Sequence, residues 1–150
     1  MKLLRLLVAL LLLCPLCVSG QRTPQDAVNS LNSLIQNRTV ARVEILRVPD
    51  DVETITNMTQ DGLRSSFHYK VTFNQDLGLL FPPLLSKSLP KNANRTSDLR
   101  WGMLFYNAKG QEVGSVFVDR FGDKGYVNGE AVLFGTSLSG PLRGIIQKLR

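Results

Sequence analysis

The chain has 150 residues, with 18 Lys and Arg against 12 Asp and Glu, two Cys and one His. A single histidine leaves too few ligands for a zinc centre, and no run of five like charges marks a basic tail for nucleic acid. The basic excess is uneven: residues 21–85 carry 6 basic and 7 acidic groups and residues 86–150 carry 10 and 5, which gives a modest preference for acidic partners.

The first segment pairs Lys2 and Arg5 with an apolar run over 6–13, followed by "CPLCVSGQ". This pattern predicts a secretory signal peptide over residues 1–20, cut between Gly20 and Gln21, with Val18 and Gly20 as the small residues before the cut. The apolar run falls short of the roughly 20 residues that a spanning helix needs, so no stable membrane span is expected. Leu13 and Leu16 precede Cys14 and Cys17 where lipoprotein processing wants a small side chain. Cleavage would remove both cysteines and leave a secreted or periplasmic, cysteine-free domain over 21–150 with net charge +4. Three sequons, at Asn37, Asn57 and Asn94, read as coincidental matches.

"TPQDAVNSLNSLIQN" opens that domain with Thr23 as cap, Pro24 at the first helical position and Asp26 in the first turn. Ala27, Val28, Leu31, Leu34 and Ile35 recur at three- and four-residue spacing, which predicts a helix ending near Asn37. In "VARVEILRV", Val43 and Ile45 alternate with Arg42 and Glu44, the period of a strand, broken by Pro49-Asp50-Asp51. A short helix after Thr59 competes with plain loop. "FHYKVTF" predicts a second strand, with Phe67, Tyr69, Val71 and Phe73 on one face and His68, Lys70 and Thr72 on the other.

Residues 76–98 contain Pro82, Pro83 and Pro90, which deny a long helix or central strand and predict a long loop. "LRWGMLFYN", "EVGSVFVDRF" and "GYVNGEAVLF" follow, separated by turn residues; Asn128-Gly129 is a strong hairpin signal. "SLSGPLRGIIQKLR" predicts a closing helix capped by Ser139, with Leu142, Ile145, Ile146 and Leu149 as its stripe. The expected fold is one α+β domain, an antiparallel sheet of about five strands with an N-terminal and a C-terminal helix packed on one face and the other face partly wet.

Chemistry has few candidates. Cysteine catalysis leaves with the signal, and His68 is the sole imidazole, placed mid-strand and facing solvent. No P-loop, G-x-G-x-x-G or G-x-S-x-G motif is present. No catalytic residue, metal or cofactor is therefore assigned. "VFVDRFGDKGYVNGEAVLF" (116–134) gathers Asp119, Arg120, Asp123, Tyr126 and Glu130 as the candidate binding residues. Paired carboxylates can hydrolyse glycosides, and Asp119 with Asp123 loosely resembles a calcium loop but lacks the alternating oxygen ligands and terminal Glu. Turn chemistry accounts for the same residues: glycines permit the bends and Asp and Asn bond their own backbone. Trp101 shares a face with Met103 and Phe105 and is expected in the core, while Tyr106 and Tyr126 are candidates for a binding face.

The expected function is a small exported non-enzymatic binding module for a protein or polymer ligand. The alternatives are a carboxylate-dependent hydrolase of sugar or cell-wall polymers using Asp119, Asp123 or Glu130, and a structural envelope component.

Overall fold

The structure is a computed structural model and describes residues 23–54, 56–74, 88–89 and 98–147. The segment expected to be a signal peptide, both cysteines, Asn94, most of 76–98 and the last three residues lie outside the described residues.

Helix α1 (Pro24–Gln36) begins where the capping pattern places it. The Asp26 N–H donates to the Thr23 hydroxyl at 3.1 Å and the Thr23 N–H donates to the Asp26 carboxylate at 3.1 Å, a reciprocal box that satisfies two orphan donors of the first turn. Strand β1 (Arg42–Arg47) follows. The short helix after Thr59 forms as α2 (Gln60–Ser66), with the Gly62 N–H donating to the Thr59 hydroxyl at 3.0 Å. Strand β2 (Tyr69–Asn74), the two-residue β3 (Ser88–Leu89), β4 (Leu99–Tyr106), β5 (Glu112–Asp119), β6 (Lys124–Val127) and β7 (Glu130–Phe134) precede helix α3 (Ser139–Gln147).

The strands form one antiparallel sheet in the order β2-β1-β4-β5-β6-β7-β3. β4 to β7 are the expected meander. Its last hairpin turns at Asn128 and Gly129, whose φ values of 49° and 85° supply the paired positive angles of a type I′ turn.

The expected picture of about five strands and two helices is approximate. The sheet has six strands of four residues or more plus β3, which pairs with β7 out of a segment expected to be loop. Both terminal helices contribute to one cluster: Ala27, Val28, Leu31 and Ile35 of α1 and Leu142 and Ile146 of α3 pack with Val43, Ile45, Trp101, Met103, Phe105, Val116 and Val118. A third helix covers part of the face expected to be wet. Leu63 of α2 is buried with Leu46, Val48, Leu99, Leu104 and Phe117. Arg64 fastens this helix to β5 through two bonds of 2.7 Å to the Glu112 carboxylate.

Arg100 lies within the sheet at 3% exposure. A buried guanidinium must be paired, and this one donates to Asp98 from Nε (2.9 Å) and Nη2 (2.7 Å) and to the Val52 carbonyl from Nη1 (2.7 Å). Asp98 in turn accepts from the Met58 N–H at 3.1 Å, so the loop between β1 and α2 is held against the start of β4.

Leu31 is fully buried on α1 against the sheet. Leu31→Ala is expected to destabilise the fold by about 2–5 kcal/mol, read as a lower urea midpoint with the slope unchanged.

Candidate functional site

The opening candidates sit on the β5–β6 connection and the hairpin beyond it. Asp119 ends β5 with its side chain turned inward; it is 5% exposed. Its Oδ1 accepts from the N–H groups of Gly122 (2.7 Å), Asp123 (3.2 Å) and Lys124 (3.4 Å). The carboxylate thus nucleates the turn from inside, as turn chemistry requires. Burial pushes its pKa above the ordinary aspartate value, helped by the nearby Asp123 charge and opposed by the Gly122, Lys124 and Asp123 N–H groups.

The same turn is keyed to α3. Gly122 has φ of 83°, and a Cβ there would stand 2.5 Å from both the Ser137 hydroxyl and the Ser139 backbone nitrogen. The Leu138 N–H donates to the Gly122 carbonyl at 2.8 Å and the Ser137 hydroxyl donates to the Phe121 carbonyl at 2.6 Å.

The remaining candidates face other surroundings. Arg120 is exposed; its Nη2 donates to the Asp50 carbonyl at 3.2 Å and its guanidinium lies 5.7 Å from the Phe121 ring centre. The Asp50 carboxylate is paired with Arg143 of α3. Asp123 is exposed and Glu130 half-buried. Tyr126 and Tyr106 are half-buried against the α2-side cluster rather than exposed. The Tyr106 hydroxyl donates to Glu44 at 3.2 Å, and burial, then the Glu44 charge, raises its pKa. Glu44 also meets Lys70 at 3.0 Å and Arg42 at 3.6 Å, and the Arg42 guanidinium stacks 4.4 Å from the Tyr106 ring centre. His68 is exposed. Among the described residues no group of three or more acids and histidines is placed to hold a metal ion.

A second arrangement was not singled out by the sequence reading. Arg47 is directly opposite Tyr69 on one side and Trp101 on the other, and Trp101 is opposite Val118. Directly opposed residues share a face, so Tyr69, Arg47 and Trp101 form one row. The Arg47 guanidinium lies 4.6 Å from the Trp101 ring centre, within cation–π range. The Arg47 Nε and the Trp101 Nε1 are buried without a hydrogen-bond partner, and Arg47 forms no ion pair among the described residues. Strand parity was the available signal. Arg47 follows Val43 and Ile45 at alternate positions, which places a charge on the apolar face of β1.

The register sets all of this at one end of the sheet, where β1 and β5 finish and β2 and β4 begin. The three exposed large hydrophobic side chains among the described residues, Phe67 (36%), Tyr69 (47%) and Phe121 (69%), stand at that end, beside Arg47 and Arg120.

Asp119→Ala strands the turn N–H groups and is expected to cost about 1–3 kcal/mol, whereas Asp119→Asn keeps an acceptor and is expected to cost less than about 1 kcal/mol. The raised pKa means that the folded chain binds the Asp119 proton more tightly than the unfolded chain. That contribution to stability is fully present below the unfolded aspartate pKa and is lost as pH rises through the folded one. Urea titrations at a series of pH values should show the parent losing stability relative to Asp119→Asn across that window.

Compared with protein-family models, curated proteins and solved structures, the chain matches none.

Proposed function

We propose that the domain is an exported, non-enzymatic binding module that engages an acidic protein partner through the end of the sheet bearing Phe67, Tyr69, Phe121, Arg47 and Arg120. The observation that carries this reading is the gathering of the exposed aromatic side chains at one end, on supports that are already ordered. Tyr69 begins a paired strand, and Phe121 rides on a turn fastened from within by Asp119 and from outside by Ser137 and Leu138, just ahead of α3. Large aromatics and arginines held rigidly lose little entropy on contact and supply most of the affinity of protein interfaces. Arg120 makes no ion pair among the described residues, so its charge is available to an acidic partner.

The carboxylate chemistry considered for Asp119 is less well supported, because its oxygen is committed to three backbone donors and is withdrawn from solvent. Export remains part of the proposal; the mass of the protein recovered from its native compartment tests it, with cleavage before Gln21 as the expected result.

The binding test compares retention of partners from that compartment by the parent and by the double variant Tyr69→Ala/Phe121→Ala, each shown to be folded by circular dichroism. Truncating two interface anchors is expected to weaken retention by about thirtyfold or more. Equal retention by the two proteins would overturn the assignment of this end of the sheet.

A further inference from the structure

Arg42 and Arg47 occupy two ends of β1 and make the same kind of contact on opposite faces of the sheet. Arg42 lies on Tyr106, and Glu44 meets its guanidinium at 3.6 Å and accepts from the Tyr106 hydroxyl at 3.2 Å, although the Arg42 Nε is itself buried without a partner among the described residues. Arg47 lies on Trp101 with no carboxylate beside it among the described residues. Two N–H groups in this second site, the Arg47 Nε and the Trp101 Nε1, are buried and unmatched among the described residues. Trp101 itself is 0% exposed. Buried polar groups are satisfied in the large majority of cases, and an unmatched one calls for a reason.

Resting on the binding reading above, we propose that the Arg47–Trp101 pair is a carboxylate subsite for an Asp or Glu side chain of the bound polypeptide. A carboxylate is the chemistry the site lacks: it is planar, negatively charged and suits a guanidinium fork. The half-buried Arg47 covers the indole, so a carboxylate that pairs with the guanidinium alters the surroundings of the Trp101 ring. A polypeptide fits the surroundings better than a sugar chain. Among the described residues β2 pairs only with β1, so an extended peptide can run along the outer edge of the sheet past Tyr69 and turn one acidic side chain toward the Arg47 guanidinium.

Trp101 is the chain's single tryptophan, and its fluorescence reports on this site alone. The experiment titrates the purified protein with poly-L-glutamate at low ionic strength, with polygalacturonate and sodium sulfate as parallel arms. The expected result is a saturable change in Trp101 emission with poly-L-glutamate, at least tenfold weaker in Arg47→Gln and unchanged in Lys109→Gln, which removes a cation from the opposite end of β4. Should Arg47→Gln fail to fold by circular dichroism, Arg47→Lys keeps the charge without the planar fork and is expected to weaken the response severalfold. No saturable change, the same change in the Arg47 variant that folds, or a response to polygalacturonate or sulfate alone would overturn the subsite. Loss of partner retention in Tyr69→Ala/Phe121→Ala together with an Arg47-independent titration would sink the subsite and leave the binding reading standing. Retention unaffected in that double variant would sink the reading itself.

Discussion

Strand β4 is buried on both faces along seven of its eight residues, and the rest of the molecule is arranged to meet that condition. Trp101, Met103 and Phe105 supply the cluster under α1 and α3, while Leu99 and Leu104 supply the one under α2. A strand covered on both sides has no room for an ordinary side chain at every position. At Gly102 a Cβ would press to 3.2 Å from the Phe117 ring and 3.3 Å from a Leu63 methyl, so the absence of a side chain there is what lets α2 close on the sheet. Arg100 shows the same condition acting on charge. Deprived of water, its guanidinium is satisfied by Asp98 and by carbonyls of the preceding loop, and an irregular segment is thereby made part of the fold.

The polar groups on the two faces have different outcomes. Three buried charges have their partners built in: Glu44 among Lys70, Arg42 and Tyr106, Arg100 with Asp98, and Asp119 under its turn. Other buried atoms of the described residues have no hydrogen-bond partner: the Asn32 Oδ1, the Arg42 Nε and the Asp50 Oδ1, and, together in one contact, the Arg47 Nε and the Trp101 Nε1. Such unmatched groups are few in folded proteins, and each calls for a physical reason.

Much of the fold was legible because the signals were local. The Thr23–Asp26 box, the alternation of β1 and β2, and the Asn128-Gly129 turn each follow from residues a few positions apart. The third helix was only half legible, since α2 has one buried residue, Leu63, and no stripe to betray it. Its burial is decided by Gly102 and Phe117, some 40 to 55 residues away in sequence. The pairing of β3 with β7 was hidden for a related reason: two residues carry no periodicity. At the candidate site, the glycines that follow Asp119 are a local sign of the turn its carboxylate holds together. Arg47 needed the register of three strands before its place between Tyr69 and Trp101 could be seen.

The fastening of the β5–β6 turn to α3 couples two parts of the chain that sequence distance would keep apart. The Gly122 and Phe121 carbonyls receive the Leu138 N–H and the Ser137 hydroxyl, and Gly122 fills the gap that any other residue would block. Loosening either partner uncovers the other. Turn and helix are therefore expected to open as one cooperative unit, their amide protons trading with solvent together rather than at two separate rates.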